Sequence, residues 1–479
     1  MTPAEYATLS AVDIAAGIRA RRFTASAIID AAFAAIASVE PQLHSFATLA
    51  EDQARAAAAR IDAAIAVGED PGPLAGVPVA IKDLVMTAGI RTTFGSRLYA
   101  DYVPTDDDIV VERLKAAGAI VVGKSNAAEF GFGAHGRNLV FETTRNPWDT
   151  SLTPGGSSAG SGAAVAAGLV PIAIGSDGGG SIRIPASFCG LIGMKASMGR
   201  VPLWPGCRDE TLPGASGWES IEHLGPITRS VADAALMLSV IAGPDGRDRW
   251  SIPCADVDWI GAAARPLRRR LKVAYWPNWP GLPIDHRVAA VVDTAVETYA
   301  AALGFDLVVT EPPNIAIRTA MDVIVALEND LTGLRRLVAE TGVEVTPALQ
   351  QFLTTRLPLE AATDAVTVRK AWANAMARLM ADVDLILTPT LAALPFAADA
   401  THPTEIDGLA IGPEDWCPFT YPFNLTGQPA ISIPCGFAED RLPVGIQIVG
   451  PHLGDGLVLS VAAAFERLAL PGKRPPIHA

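Results

Sequence analysis

Lys82 is the first residue of the chain whose position suggests chemistry. It directly follows an apolar run, Val77 to Ile81, that is typical of a buried strand. Burial lowers the pKa of a lysine, so a lysine at this place could serve as a neutral amine base. A lone lysine at a strand end is, however, more typical of a surface side chain with a buried stem.

A second segment, Gly155 to Gly162, is rich in glycine and contains Ser157 and Ser158. Glycines on both sides permit unusual backbone geometry at the two serines. Taken alone, the segment also fits a flexible loop before a helix. Its serines are therefore candidates that need support from elsewhere in the chain.

The third segment runs from Gly175 to Pro185 and places three glycines before Ser181. Consecutive glycines leave several backbone N–H groups free to point at one spot, as an oxyanion hole requires. Asp177 and Arg183 flank the turn, and we expect a charge-assisted pair between them to fix it. A plain tight turn explains this segment alone, but not all three segments together.

Together the three segments strongly resemble the amidase signature family. The spacing agrees as well, since 75 residues separate Lys82 from Ser157 and 24 separate Ser157 from Ser181. The resemblance extends over nearly the whole chain, and its main matches are Lys82, Gly155 to Ser158, and Asp177 to Arg183.

The resemblance implies a role for each matching side chain. Ser181 is the implied nucleophile, Ser157 is the implied bridging serine after a cis peptide bond, and Lys82 is the implied base. Asp177 and Arg183 are expected to support the site. The implied oxyanion donors are the N–H groups of Gly178, Gly179, Gly180 and Ser181. This agrees with general chemistry, because a serine is a weak nucleophile without an adjacent base.

The fold implied is α/β: a large mixed β-sheet sandwiched between helices (α/β/α), in one compact domain over residues 1–479. The apolar pattern agrees, because short apolar runs alternate with helical periodicity from Gly76 onwards. Within that domain we expect N-terminal helices over 1–68 and a helical insertion over about 315–380 on the substrate side. Predicted strands begin near Val77, Ala119, Leu169, Leu271, Leu307, Leu385, Ala430 and Val444.

The resemblance implies hydrolysis of carboxamides through an acyl-enzyme, and some family members act on esters, carbamates (urethanes) or ureas. One branch of the family is an amidotransferase subunit that releases ammonia from glutamine for a tRNA-bound substrate. That branch usually carries Asn-Met-Asp-Glu-Phe where this chain has Asn-Ala-Ala-Glu-Phe at Asn126 to Phe130. We therefore expect a stand-alone bacterial-type amidase, and the alternative is the glutamine-dependent amidotransferase subunit.

Substrate preference is less determined. We expect the small Gly131 and Gly133 to leave room for a bulky group such as an aryl amide or aryl carbamate. Each aromatic candidate fits an ordinary core position equally well. The candidates for an aryl-tolerant pocket are Phe132, Trp204, Trp218, Phe419 and Tyr421.

Gly156 to Gly160 also matches the nucleophile elbow of α/β-hydrolases, which would make Ser158 the nucleophile of an esterase. That mechanism needs an acid and a histidine downstream, and no histidine lies in an obvious catalytic context. Gly118 to Ser125 and Gly131 to Gly136 match two nucleotide-binding expressions, but neither has the strand–loop–helix context that such sites require.

The composition limits the partners. The chain has 479 residues, a formal net charge of −14 and 50% hydrophobic residues, which excludes a disordered chain. An acidic protein is repelled by nucleic acids and anionic membranes, so we expect neither as a partner. Arg268 to Arg270 is interpreted as a surface turn. The expected partner is a small-molecule amide or carbamate, and a homodimer remains open.

The five cysteines form no CxxC pair and are odd in number, so neither a zinc site nor a disulfide framework is indicated. We expect a reducing compartment, no metal and no cofactor. The N-terminal residues lack a basic region followed by an apolar run, so no signal peptide is predicted. These features favour a cytoplasmic location.

Overall fold

A mixed sheet of eleven strands runs through the molecule in the computed structural model. The structure describes residues 1–206, 209–215, 217–267, 269–439, 441–469 and 473–478. Cys207 and Arg268, which belong to the cysteine count and the basic run above, lie outside these residues.

The strands follow the order β1-β3-β2-β4-β6-β5-β12-β13-β9-β7-β8, and β10 and β11 form a separate pair. Their bounds are β1 Phe46–Leu49, β2 Pro78–Lys82, β3 Ile120–Ser125, β4 Ile172–Ser176, β5 Ile192–Lys195, β6 Leu224–Thr228, β7 Lys272–Tyr275, β8 Asp306–Val309, β9 Leu385–Pro389, β10 Glu405–Ile406, β11 Leu409–Ala410, β12 Ala430–Phe437 and β13 Pro443–Val449.

Helices pack against this sheet and complete the predicted α/β fold. Their bounds are α1 Pro3–Tyr6, α2 Ala11–Arg19, α3 Ala25–Leu43, α4 Glu51–Val67, α5 Ile109–Ala116, α6 Ala159–Ala166, α7 Arg183–Cys189, α8 Val231–Ile241, α9 Trp259–Ala264, α10 His286–Leu303, α11 Arg318–Leu327, α12 Leu331–Thr341, α13 Pro347–Thr354, α14 Leu359–Asp382, α15 Pro422–Thr426 and α16 Asp455–Leu468.

The central strands are covered on both faces. Every residue of β2, β3 and β4 is buried, which explains why these strands consist of almost continuous apolar residues. Strand β2 pairs in parallel with both β3 and β4, whereas β4 pairs antiparallel with β6. The sheet is therefore mixed, as expected.

All eight predicted strands are present, and the region 315–380 contains the four helices α11 to α14. Three strands of the sheet were not predicted: β1, β5 and β6. Strand β1 interrupts the N-terminal helices, and β5 and β6 contain glycine or proline, which weaken a strand signal. Backbone pairing with neighbouring strands of the sheet stabilises these three strands, although their own sequences give only a weak strand signal. No helix in the described part of the chain is long and apolar enough to cross a membrane.

Candidate active site

The parallel pairing of β2 and β4 brings Lys82 beside the glycine-rich turn. Ile81 of β2 lies opposite Ile174 of β4, so Lys82 at the end of β2 lies next to the end of β4. Parallel strands end at the same edge of a sheet. The third segment begins with Gly175 and Ser176, which end β4, and its turn follows at this edge.

Lys82 is fully buried and bonded only to serine oxygens among the described residues. Its Nζ donates to Ser157 Oγ at 2.8 Å, to Ser176 Oγ at 2.8 Å and to Ser176 O at 3.3 Å. Burial lowers the pKa of the amine, and the nearby carboxylates of Glu222 and Asp177 oppose that shift. The result is a lysine that loses its proton more easily than one in water.

The two neighbouring serines of the second motif have different surroundings. The Gly156–Ser157 peptide bond is cis, as the resemblance implies, and Ser157 faces Lys82. Ser158 precedes α6, and its Oγ donates to Ser176 O at 3.2 Å and accepts from Ser176 N at 3.3 Å. No histidine in the described ranges bonds to Ser158. The α/β-hydrolase mechanism, with Ser158 as the nucleophile, therefore has no histidine base in this geometry.

The turn after β4 leaves Ser181 partly exposed, whereas Ser157 is buried. The N–H of Gly180 donates to Asp177 Oδ1 at 2.7 Å, so one of the four expected oxyanion donors is already engaged. Within the described residues, the N–H groups of Gly178, Gly179 and Ser181 have no partner. Three donors thus remain free in the turn, where Gly178 is buried and Gly179 and Ser181 are partly exposed.

Asp177 and Arg183 form the expected charge pair, and both side chains are fully buried. Arg183 donates from Nε and Nη2 to the two carboxylate oxygens, each at 2.9 Å. Burial alone raises the pKa of Asp177, but the contacts with Arg183 outweigh it and hold that pKa well below its usual range. The turn is therefore anchored by an ionised carboxylate.

Three supporting side chains come from the far end of the chain and were not predicted. Asn424 Nδ2 donates to Asp177 O at 2.7 Å, and Thr420 Oγ1 donates to Gly179 O at 2.8 Å. Gln447 Oε1 accepts from Arg183 Nη1 at 2.7 Å. Asn424 lies in the stretch from Pro422 to Ser432, whose sequence also resembles the family, so the sequence indicated its position but not its role.

Glu222 and Ser176 were also missed. Glu222 is only 7% exposed, and its Oε2 has no hydrogen-bond partner within the described residues. Burial raises the pKa of this carboxyl, and Lys82 opposes the shift. Both residues line a cavity of about 50 Å³ that also touches Trp218. Nothing in the local pattern around Glu222 distinguishes it from a surface glutamate.

The space beside Gly131 and Gly133 is occupied, so the prediction that these glycines leave room for a bulky substrate group is wrong. A Cβ on Gly131 would lie 3.0 Å from Cζ3 of Trp218, and a Cβ on Gly133 would lie 2.5 Å from Nε2 of His135. The two glycines allow these rings to approach the backbone closely. Gly131 is thus a packing position under Trp218.

The aromatic candidates divide into two groups. Trp218 packs on Gly178 of the turn and edge-on to Phe132, whose ring centroid lies 5.2 Å away. Tyr421 lies beside Gly179, where its Cβ would be 3.7 Å from an added methyl carbon. Trp218 and Tyr421 thus lie next to the turn, and Phe132 packs against Trp218.

Phe419 and Trp204 have other contacts. Phe419 is 1% exposed and packs in a core cluster with Phe188 and Trp416, so it is a core residue rather than a pocket wall. The ring of Trp204 lies 4.8 Å below the guanidinium of Arg247. No contact of the described residues brings Trp204 to Ser157 or Ser181.

One group of metal-type ligands occurs in the described ranges: Asp285, His286 and Asp407. Two of the three are exposed, and His286 Nδ1 lies 3.0 Å from Asp407 Oδ1. Hydrogen bonds between His286 and Asp407 account for this arrangement, which contributes no residue to the site around Lys82.

Comparisons with known proteins agree with this geometry. The family model described as "Amidase" matches residues 27–459. A glutamyl-tRNA(Gln) amidotransferase subunit of Prochlorococcus marinus (strain MIT 9313) is 38% identical over 93% of this chain and 94% of its own length. An acylamidase of Rhodococcus erythropolis is 35% identical over 97% of this chain and 96% of its own.

Among solved structures, a bacterial aryl acylamidase of the amidase signature family superposes with a TM-score of 0.88 at 29% identity, covering 96% of each chain. The sheet, the serine–lysine cluster and these matches define one class of protein. The chain belongs to the amidase signature family, whose members hydrolyse amides.

Proposed function

We propose that the chain is a stand-alone amidohydrolase that cleaves the C–N bond of carboxamides through an acyl-enzyme on Ser181. One observation carries the proposal: the fully buried Lys82 Nζ lies 2.8 Å from Ser157 Oγ. Ser181, which belongs to the next motif along the chain, is partly exposed and can meet a substrate. A buried amine without a bonded carboxylate is suited to act as a base.

The contacts of Lys82 support a proton relay. In the neutral amine, the two N–H groups remain on Ser176 O and Ser176 Oγ, and the lone pair faces the hydroxyl of Ser157. Ser157 passes its proton to Nζ while it takes the proton of Ser181 Oγ. The freed oxygen of Ser181 then attacks the carbonyl carbon of the substrate.

The free donors of the turn support the next step. We assign stabilisation of the oxyanion to the N–H groups of Gly178, Gly179 and Ser181, because the N–H of Gly180 is bonded to Asp177. When the C–N bond breaks, the leaving amine takes the proton back through Ser157. Water then hydrolyses the ester on Ser181 by the same relay in reverse.

The side chains around the turn favour apolar or aryl substrates. Met321 of α11 and Tyr421 are the nearest groups to an added methyl carbon on Gly179, at 3.5 and 3.7 Å. Trp218 packs on Gly178 of the turn and contacts Phe132. We infer that aryl amides are accepted, and that aryl esters and carbamates (urethanes) react as well because each presents Ser181 with a carbonyl carbon bonded to a leaving group.

A second candidate is an amidotransferase subunit that releases ammonia from glutamine with a partner. The 38% identity to such a protein favours it. The Ala127-Ala128 pair, where that branch usually has Met-Asp, and the apolar contacts of Gly179 favour a stand-alone enzyme instead.

We also place the protein in a reducing compartment such as the cytoplasm, since its four described cysteines are unpaired.

A substrate panel with the purified chain alone tests the proposal. The panel contains the 4-nitroanilides of acetate and benzoate, a 4-nitrophenyl ester, an aryl carbamate and glutamine. We expect release of 4-nitroaniline without any partner and no ammonia from glutamine. Glutaminase activity that needs an added partner, with no anilide turnover, would establish the second candidate instead.

A further inference from the structure

Glu222 lies directly opposite Gly178, the first glycine of the turn after β4. The ladder between β4 and β6 continues one pair beyond the strands, because Asp177 and His223 exchange two backbone hydrogen bonds of 2.8 and 3.2 Å. The next pair is therefore Gly178 and Glu222. The carboxylate lies over Gly178, where an added Cβ would be 2.8 Å from Glu222 Oε2.

Ser176 connects this carboxylate to the lysine. Ser176 Oγ accepts a hydrogen bond from Lys82 Nζ at 2.8 Å, so its own hydroxyl proton is free to point elsewhere. Glu222 lines the same small cavity as Ser176 and has an oxygen without a partner. A buried carboxylate oxygen without a donor is costly, and the Ser176 hydroxyl is the nearby group that can supply one.

We propose that Glu222 is a positioning residue that acts on Lys82 through the Ser176 hydroxyl and sets the pH at which the lysine becomes a base. The inference rests on the proposed function, in which Lys82 is that base. Glu222 has no part in the relay itself, because no hydrogen bond of the described residues joins it to Ser157 or Ser181.

The charges around Glu222 make its influence specific. The charged groups near Glu222 are Lys82 at the end of β2, Asp177 in the turn, and Asp108, the residue before α5. Asp108 lines the same small cavity as Glu222 and Ser176. Asp177 is neutralised by Arg183, and Asp108 is bonded to the N–H of Val110. When Glu222 is ionised, its negative charge stabilises the protonated form of Lys82. Of the two carboxylates that raise the pKa of Lys82, Glu222 has the larger effect and Asp177 the smaller.

The test is the pH profile of kcat/KM for an anilide in Glu222→Gln. Glutamine keeps the shape of the side chain and removes the charge. Without this negative charge the protonated form of Lys82 is less stable. We therefore expect the acid limb of the profile, where activity rises as Lys82 loses its proton, to move to lower pH by about one unit. One unit below the wild-type midpoint the variant should then be about fivefold faster than wild type, with a plateau within about threefold.

Glu40→Gln is the matched control. Glu40 is another largely buried glutamate with a raised pKa, and it is bonded to Ser45 and Phe46 rather than to the Lys82 cluster. Its replacement should leave the acid limb where it is. A general loss of stability would affect both variants, whereas a shift of the limb should appear in Glu222→Gln alone.

Two outcomes must be kept apart. If Lys82→Ala keeps its activity, the proposed function fails. If Lys82→Ala is inactive but Glu222→Gln has the acid limb of wild type, the base is correct and the role of Glu222 is overturned. Should Glu222→Gln not fold, the pH dependence of Ser181 labelling by a fluorophosphonate is measured in Glu222→Asp. The shorter side chain should shift that profile in the same direction, and an unchanged profile overturns the proposal.

Discussion

Arg183 and Asp177 face each other with two parallel hydrogen bonds of 2.9 Å, and neither side chain reaches solvent. Removal of one partner leaves the other charge buried without compensation, which costs about 3–5 kcal/mol of folding free energy. We expect that loss for Arg183→Met in denaturant unfolding, together with loss of activity. The exposed pair of Arg265 and Asp258 is the control, and Arg265→Met should cost about 1 kcal/mol or less.

The choice between the two serine mechanisms is decided by two single substitutions. Ser181→Ala should lower kcat at least about 1,000-fold with an unchanged circular dichroism spectrum, because only binding and the oxyanion hole remain. Ser158→Ala loses hydrogen bonds to the backbone of Ser176 and should keep most of the activity. The opposite ranking would support the α/β-hydrolase mechanism with Ser158 as the nucleophile.

Lys82 should be irreplaceable by arginine. A guanidinium cannot lose its proton at ordinary pH, so Lys82→Arg and Lys82→Ala should both be inactive on anilides. In wild type, activity should rise with pH through a lysine pKa near 8, below the ordinary value of about 10.4, and then reach a plateau. Substantial activity in Lys82→Arg would make this a structural lysine.

The same ionisation should be visible in stability. Because the pKa of Lys82 is lower in the folded state, the folded protein binds fewer protons than the unfolded chain between the two pKa values. The free energy of unfolding therefore rises with pH across that window, and the penalty is full below it. Lys82→Met should flatten this slope between about pH 8 and 10. A slope equal to that of wild type would show that Lys82 has an ordinary pKa.

Two adjacent glycines of the turn should respond differently to alanine. Gly180 has φ +130°, and an added Cβ would lie 2.5 Å from Thr420 Oγ1, so Gly180→Ala should lose about 2 kcal/mol or more of stability and its activity. At Gly179 the nearest atoms lie at 3.5 and 3.7 Å. Gly179→Ala should fold like wild type, as thermal unfolding of both variants would reveal.

Contiguous motifs were the part of the site that could be predicted from sequence. Lys82, Ser157 and the pair of Asp177 and Arg183 each lie in a short run whose glycines or apolar residues signal a strand end or a turn. The structure brings these residues together. The long apolar strands could be predicted for the same reason, since burial on both faces leaves a continuous pattern.

The remaining features depend on contacts between distant parts of the chain. Asn424 and Gln447 bond to Arg183 across 241 and 264 residues of sequence, and no local pattern specifies such a pairing. Glu222 is a site residue only because the β4–β6 register places it over Gly178. The space beside Gly131 was misjudged because sequence gives the absence of a side chain but not the neighbour, here Trp218, that fills it.

The position of β12 and β13 in the middle of the sheet has a consequence for synthesis. Strand β5 pairs with β12, and Arg183 bonds to Asn424 and Gln447, so the nascent chain lacks these contacts until Gln447 has left the ribosome. A polypeptide that ends at a premature stop codon before Asn424 would carry Lys82, Ser157 and Ser181 and still lack the anchors of the turn. Hydrolytic activity should therefore arise only after translation has passed Gln447, and products truncated before Asn424 should be inert.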